Sequence, residues 1–257
     1  VAGKQYFAEA ASLIRRLEDT QVAAIEQAGE MFAECIANDG VVHLFGSGHS
    51  VLPVMDLFPR YGSFVGFHPI MDPRLMWSNV IGPGGAPELI WIERQEGYVD
   101  VMAKHRGLRE GDVMVVYSHG GLNAAPIEMA LLARERGLRV VAVTSMDNRS
   151  ISEPTHSSGK HLADCVDIVI DNCVPFQDAL VTVDGWQYPV AAGSTVAVIT
   201  VSMALVAETA AHLAKRGISK PTFVSPNVGD VSPEHNVDVF AAYCREVESR
   251  ASNRIGQ

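Results

Sequence analysis

Basic residues are scarce in this 257-residue chain: 20 Lys and Arg stand against 30 Asp and Glu, a formal charge of −10. No basic stripe is available to neutralise a phosphate backbone and no helix-turn-helix or basic extension is present, which argues against a nucleic-acid partner. Cysteine is sparse too. Cys35, Cys165, Cys173 and Cys244 are scattered without Cys-x-x-Cys spacing, a pattern that fits reduced cytoplasmic thiols better than a disulfide frame or a zinc site. No His-x-x-x-His pair preforms half a metal site on one element, so no metal and no other cofactor is expected, although His49, Asp56, His156 and His235 could converge in the fold. A clean membrane span is also missing. The most apolar long segment, Val190 to Leu213, carries Ser194, Thr195, Thr200, Ser202, Glu208, Thr209 and His212 and reads as a buried helix. No basic region followed by an apolar core marks a targeting segment, so no membrane partner is expected.

What is present begins at Val41-Val42-His43-Leu44-Phe45, a short apolar run, followed by Gly46-Ser47-Gly48-His49-Ser50 and the helix-compatible Val51 to Phe58. That is a strand, a tight turn and a helix start, where backbone N–H groups, the helix dipole and two serine hydroxyls favour an anion, with phosphate the first choice. The loop lacks the third glycine of a dinucleotide fingerprint, and the chain has no Gly-Lys-Ser/Thr of a nucleotide P-loop. The design recurs. Asp112 to Tyr117 is an apolar run suited to a central strand, Ser118-His119-Gly120-Gly121-Leu122-Asn123 turns out of it, and Ala124 to Arg136 continues as a helix ending at Gly137.

The remaining pattern places a long helix over residues 4–38, with Leu13, Leu17, Ile25, Ala28, Phe32, Cys35 and Ile36 on one face, to cover the sheet and to pair with a second subunit. Ser63 to Phe67 is expected as a strand and His68 to Pro73 as an irregular exit from it. Residues 74–90 read as a long flexible loop broken by Gly82-Pro83-Gly84-Gly85-Ala86-Pro87. A helix follows over Glu96 to Arg106, then strands at Leu138 to Ser145 and Cys165 to Asp171. Strands alternating with helices predict an α/β fold, with a mainly parallel sheet between helical layers and ligands beyond the carboxyl ends of the strands. At 257 residues and 47% apolar composition, one domain with helical additions is the default.

These segments resemble the sugar isomerase (SIS) family: Gly46-x-Gly48-x-Ser50, the second loop from Ser118, the run Arg136-Gly137-Leu138-Arg139-Val140-Val141-Ala142-Val143-Thr144-Ser145, and a late long helix. The likeness spans almost the whole chain and is greatest to stand-alone, phosphoheptose-isomerase-like proteins. Phe45 to Ser50, Pro126 to Ala130, His156 to Lys160 and Glu234-His235-Asn236 are similar to one bacterial branch in particular. The resemblance implies a single three-layer α-β-α domain over 1–257 with a five-stranded sheet, N-terminal helices over 1–40, a core over 41–215 and a C-terminal loop and helix over 216–257. It implies a sugar phosphate as ligand, a homodimer or homotetramer, and a cytoplasmic setting.

The site residues implied are Ser47, Gly48, His49 and Ser50 in the first loop and Ser118, His119, Gly120, Gly121 and Asn123 in the second. The family's second loop reads Ser-x-Ser-Gly-x-Thr, so two hydroxyls are missing here, and Ser118, backbone N–H groups, the Asn123 amide and His119 are expected to serve the anion. Ser194 and Thr195 match a Ser-Thr pair entering the long helix. His156, Ser157, Ser158 and Lys160 form a donor-rich turn that either receives a second anionic group or caps a helix. Aldose–ketose isomerisation needs a base to move a proton between adjacent carbons and an acid on the ring oxygen. Asp56 with His235 is the expected catalytic pair, ahead of Glu208 with His49; Asp56 lies near where phosphoheptose isomerases carry a histidine. His43, His105, His161 and His212 read as structural. A sugar-phosphate lyase or deglycase, or a sensor that binds without chemistry, is the alternative on the same fold.

Overall fold

The structure, a computed structural model, describes residues 1–76 and 84–252. Five parallel strands form one sheet in the order β2-β1-β3-β4-β5: β1 (Val42–Gly46), β2 (Phe67–Ile70), β3 (Val113–Ser118), β4 (Arg139–Thr144) and β5 (Ile168–Asp171). Alternation of side chains across the pleat divides the core in two. Val113, Val115 and Tyr117 of the central strand pack with α1 (Ala2–Ala37), α2 (Val51–Leu57) and α7 (Ser194–Lys215), whereas Met114 and Val116 pack with α3 (Gly85–Glu93), α4 (Tyr98–Ala103) and α5 (Ala124–Glu135). This is the three-layer architecture anticipated. The long first helix buries Leu13, Leu17, Ile25, Ala28, Phe32, Cys35 and Ile36, each core side chain contributing roughly 1.5–3 kcal/mol of transfer free energy.

The α1–α7 contact is close because residue 29 is glycine: a Cβ there would stand 2.6 Å from Glu208 Cβ. Glu208 thus lies on the helix pair, with its carboxylate 4.0 Å from His212 Nε2. Helix α7 is the one described helix long and apolar enough to cross a membrane, yet half of its most apolar window is buried in the fold. Its Ser202 hydroxyl lies 3.0 Å from the hydroxyl of Tyr117, a fully buried phenol whose pKa burial pushes up to about 12.

Three sequence expectations are corrected. The strand beside β1 is Phe67–Ile70, not Ser63 to Phe67; Pro69 disguised it, and proline is tolerated because β2 is an edge strand. The long loop over 74–90 ends early, since α3 begins at Gly85, with Pro87 in its first turn where no helical N–H is needed. The part of that loop at residues 77–83 lies outside the described residues. The helix expected over Glu96 to Arg106 is only Tyr98–Ala103, because Gly97 is left-handed at φ 82°. Helix α6 (Met146–Ile151) follows β4; after β5 come a short hairpin, β6 (Ala179–Val181) with β7 (Val190–Ala192), then α7 and a last helix α8 (His235–Ser252).

Candidate active site

At the carboxyl ends of β1 and β3 the two glycine loops converge on one cleft of about 390 Å³, within the range of small-molecule sites. Ser47, Gly48, His49 and Ser50 line one wall, and Ser118, His119, Gly120, Gly121 and Asn123 another. The first turn is sterically exact for glycine twice over. A Cβ at Gly46 would overlap the Ser50 carbonyl oxygen, and Gly48 adopts φ 57° while its N–H donates to Leu75 O at 2.8 Å. Helix α5 starts at the cleft with Asn123 as its N-cap, and the Asn123 side chain makes no bond to the helix N–H groups. Its dipole therefore adds positive potential at the cleft.

The third wall is α3, which carries Ala86, Leu89, Ile90, Glu93 and Arg94 into the cleft. Glu93 is the residue the sequence reading missed. Burial raises its pKa, while hydrogen bonds from Ser47 and Asn123 and the charge of Arg94 work the other way without cancelling the shift. Asn123 Nδ2 donates to Glu93 Oε2 at 2.9 Å, and Asn123 Oδ1 accepts from Arg94 Nε at 3.3 Å. His49, exposed in the same cleft, has its pKa lowered by partial burial, with the Asp178 carboxylate opposing.

Not every hydroxyl and ring in the second loop faces a ligand. Ser118 Oγ accepts the Gly121 N–H at 3.1 Å and so fixes its own turn. His119 is held from behind. Asn172 Oδ1 accepts the Val174 N–H at 3.0 Å, which turns its Nδ2 toward His119 Nδ1 at 3.1 Å; His119 Nε2 sits 3.4 Å from Phe176 O and 3.1 Å from the Asn148 amide. Asn172 thus presents a donor to Nδ1, and the nearest group at Nε2 is the Asn148 Nδ2 donor, with Phe176 O further off. The amide of Asn123 is committed to Glu93, not turned to the anion as the sequence suggested.

Several other candidates lie elsewhere. Asp56 is on the surface of α2, paired to Arg60 at 2.6 Å, and shares with Thr195 a separate shallow cleft. His235 Nε2 is bonded to Thr222 O at 2.8 Å and does not line the loop cleft. Glu208 is on the α1–α7 contact. Ser194 and the Gly193 N–H are occupied internally: Asp178 accepts from Gly193 N, Ser194 N and Ser194 Oγ at 3.1, 2.7 and 2.9 Å. The donor-rich turn at 156–160 also receives an internal anion, since Ser157 N and Oγ donate to Glu96 at 2.6 and 2.5 Å and hold that carboxyl below its usual range. His156 bonds Ser158 at 2.7 Å, and Lys160 is exposed.

Among the described residues no three His, Cys, Asp or Glu side chains are grouped as metal ligands. A larger cavity of about 640 Å³ opens between α1 and the segment after β5, but three carboxylates, Glu9, Asp147 and Asp171, line it against one cation, Arg16. That negative lining disfavours an anion, so the loop cleft is the better site for one.

The doubly wound parallel sheet thus holds its paired glycine loops over one cleft at the carboxyl ends of the strands. Residues 5–145 match the SIS domain family, and the chain belongs to that family. It is 35% identical to a UPF0309 protein of Caldanaerobacter subterraneus subsp. tengcongensis over 93% of this chain and 96% of the other. It is 36% identical to a UPF0309 protein of Streptomyces coelicolor, over 93% of this chain and 94% of the other. Among solved structures it resembles the phosphoheptose isomerase GmhA from Neisseria gonorrhoeae, with TM-score 0.53, 21% identity, and 79% and 93% of the two chains covered. A phosphoheptose isomerase from Francisella tularensis matches with TM-score 0.53, 14% identity, and coverage of 80% and 95%.

Proposed function

We propose that the protein binds a sugar phosphate in the loop cleft and interconverts its aldose and ketose forms through an enediol. The observation that carries this reading is Glu93: a partly buried carboxyl with a raised pKa, facing two anion-type turns and held by Ser47 and Asn123. A phosphate seated on the turns fixes the distance from the sugar carbons to that carboxylate, which is where orientation lowers a barrier most. Glu93 takes the proton from the carbon beside the carbonyl and returns it to the former carbonyl carbon. His49 exchanges the proton between the two oxygens, and Arg94 stabilises the negative charge of the enediolate.

This reading assigns the base to Glu93 in place of Asp56, and the acid to His49 in place of His235. Family membership and the solved phosphoheptose isomerases support a sugar phosphate as the ligand class. Exposed Phe7 and Val22 on α1, and Trp186 and Tyr188 near the hairpin, support a homo-oligomer. Four unbridged cysteines support a cytoplasmic setting. Incorporation of solvent deuterium into a bound sugar phosphate tests the reaction; binding without exchange is the sensor's result.

A further inference from the structure

Asn123 sits at the junction of the cleft's two charged groups. Its Nδ2 is 2.9 Å from Glu93 Oε2, and its Oδ1 takes Arg94 Nε at 3.3 Å and Thr155 Oγ1 at 3.4 Å. These contacts fix which end of the amide is which. Arg94 Nε is an obligate donor, so the atom facing it is the carbonyl oxygen, and the atom facing Glu93 is the NH₂. The amide therefore presents a donor to the carboxylate whatever the protonation state of the cleft. The backbone fixes its position as well: Asn123 is the first non-helical residue before α5, at φ −79° and ψ 159°, and its side chain is not used to cap that helix.

From this geometry we infer that Asn123 is the positioning residue of the Glu93 base. Its N–H holds the carboxylate in one orientation and favours the charged form, and its carbonyl ties the same unit to Arg94. Burial alone would push Glu93 further toward the neutral acid; Asn123 and Ser47 are the hydrogen-bond donors that oppose it. Asn123 does not touch the reacting carbons. It sets how much of Glu93 is ionised at a given pH and where its free oxygen points.

The inference rests on the assignment of Glu93 as base, and the experiment separates the two. The Glu93 carboxyl is titrated by ¹³C NMR on glutamate-labelled full-length protein, its resonance being the one absent from Glu93→Gln. Asn123→Thr keeps a short polar side chain and removes the amide; Asn123→Asp keeps the shape and replaces the donor with a like charge. A hydrogen bond to a charged group corresponds to a shift of about one to two pH units, so the Glu93 pKa should rise by that amount in Asn123→Thr and further in Asn123→Asp. Where turnover of a sugar phosphate is measured, the acid limb of the pH profile should move upward with it, lowering kcat at neutral pH more than it changes KM. An unchanged Glu93 titration in both folded variants overturns the inference. A raised pKa with no turnover by the parent protein upholds the Asn123–Glu93 coupling and removes the isomerase reading instead.

Discussion

The guanidinium of Arg250 lies 2.7 and 3.0 Å from the two carboxylate oxygens of Asp112, so the last helix is tied to the head of the central strand across 138 residues of sequence. Asp112 also accepts from Val41 N at 2.9 Å, Arg109 N at 3.0 Å and the His43 ring at 3.0 Å. Burial would raise its pKa, but the hydrogen bonds from His43 and Arg250 and the other donors outweigh it, and the carboxyl is held below its usual range. Arg250→Ala removes one partner and leaves a buried charge. The expected loss is about 3–5 kcal/mol in denaturant unfolding, and a loss within experimental error would show that Asp112 is satisfied without it. Because the folded pKa is depressed, this contribution is present above the ordinary carboxylate pKa. It disappears as pH falls through the lower folded value.

Glu93 predicts the opposite sign. A carboxyl whose folded pKa is raised binds more protons folded than unfolded, so stability decreases as pH rises from its ordinary value through the folded one. Glu93→Gln should therefore unfold at a Tm equal to or above the parent's at pH 7, with the difference vanishing in acid. Calorimetry at both pH values checks this. A variant less stable at pH 7 than the parent would mean the carboxylate is structurally required.

Gly29→Ala would ordinarily strengthen a helix by about 1 kcal/mol. Here the added methyl meets Glu208 at 2.6 Å along the α1–α7 contact, so overpacking should dominate and destabilise by about 1–3 kcal/mol. Chemical denaturation decides the sign, and a stabilised variant would contradict the close helix packing.

Light scattering at micromolar concentration should return a mass of at least two chains. A mass of one chain would remove the homo-oligomer.

The parallel sheet and both glycine loops were legible because strand and helix periodicities and glycine pairs are local signals. Nine loop residues, from Ser47 to Ser50 and at Ser118, His119, Gly120, Gly121 and Asn123, do share the cleft. The carboxyl proposed here as the base was not legible. Gly84-Gly85-Ala86-Pro87 looked like loop, which hid α3 and with it Glu93 and Arg94, although Pro87 in a first turn and buried Leu89 and Ile92 three apart were helix signals. His156 to Lys160 and the Ser194-Thr195 pair read as ligand sites, but Ser157 and Ser194 each donate to a carboxylate of this chain, Glu96 or Asp178. Sequence shows which groups can bind an anion; only the fold shows that a side chain already supplies one.

Proton transfer at carbon by Glu93 in the loop cleft is the proposed chemistry. The direct test incubates the protein with a panel of aldose and ketose phosphates in D₂O and follows deuterium entering the carbon beside the carbonyl. At least one phosphorylated sugar should exchange, its unphosphorylated counterpart should not, and Glu93→Gln should slow the exchange by roughly a hundredfold or more while still binding the ligand. Exchange that persists at the parent rate in Glu93→Gln, or sugar phosphates that bind and never exchange, would contradict it.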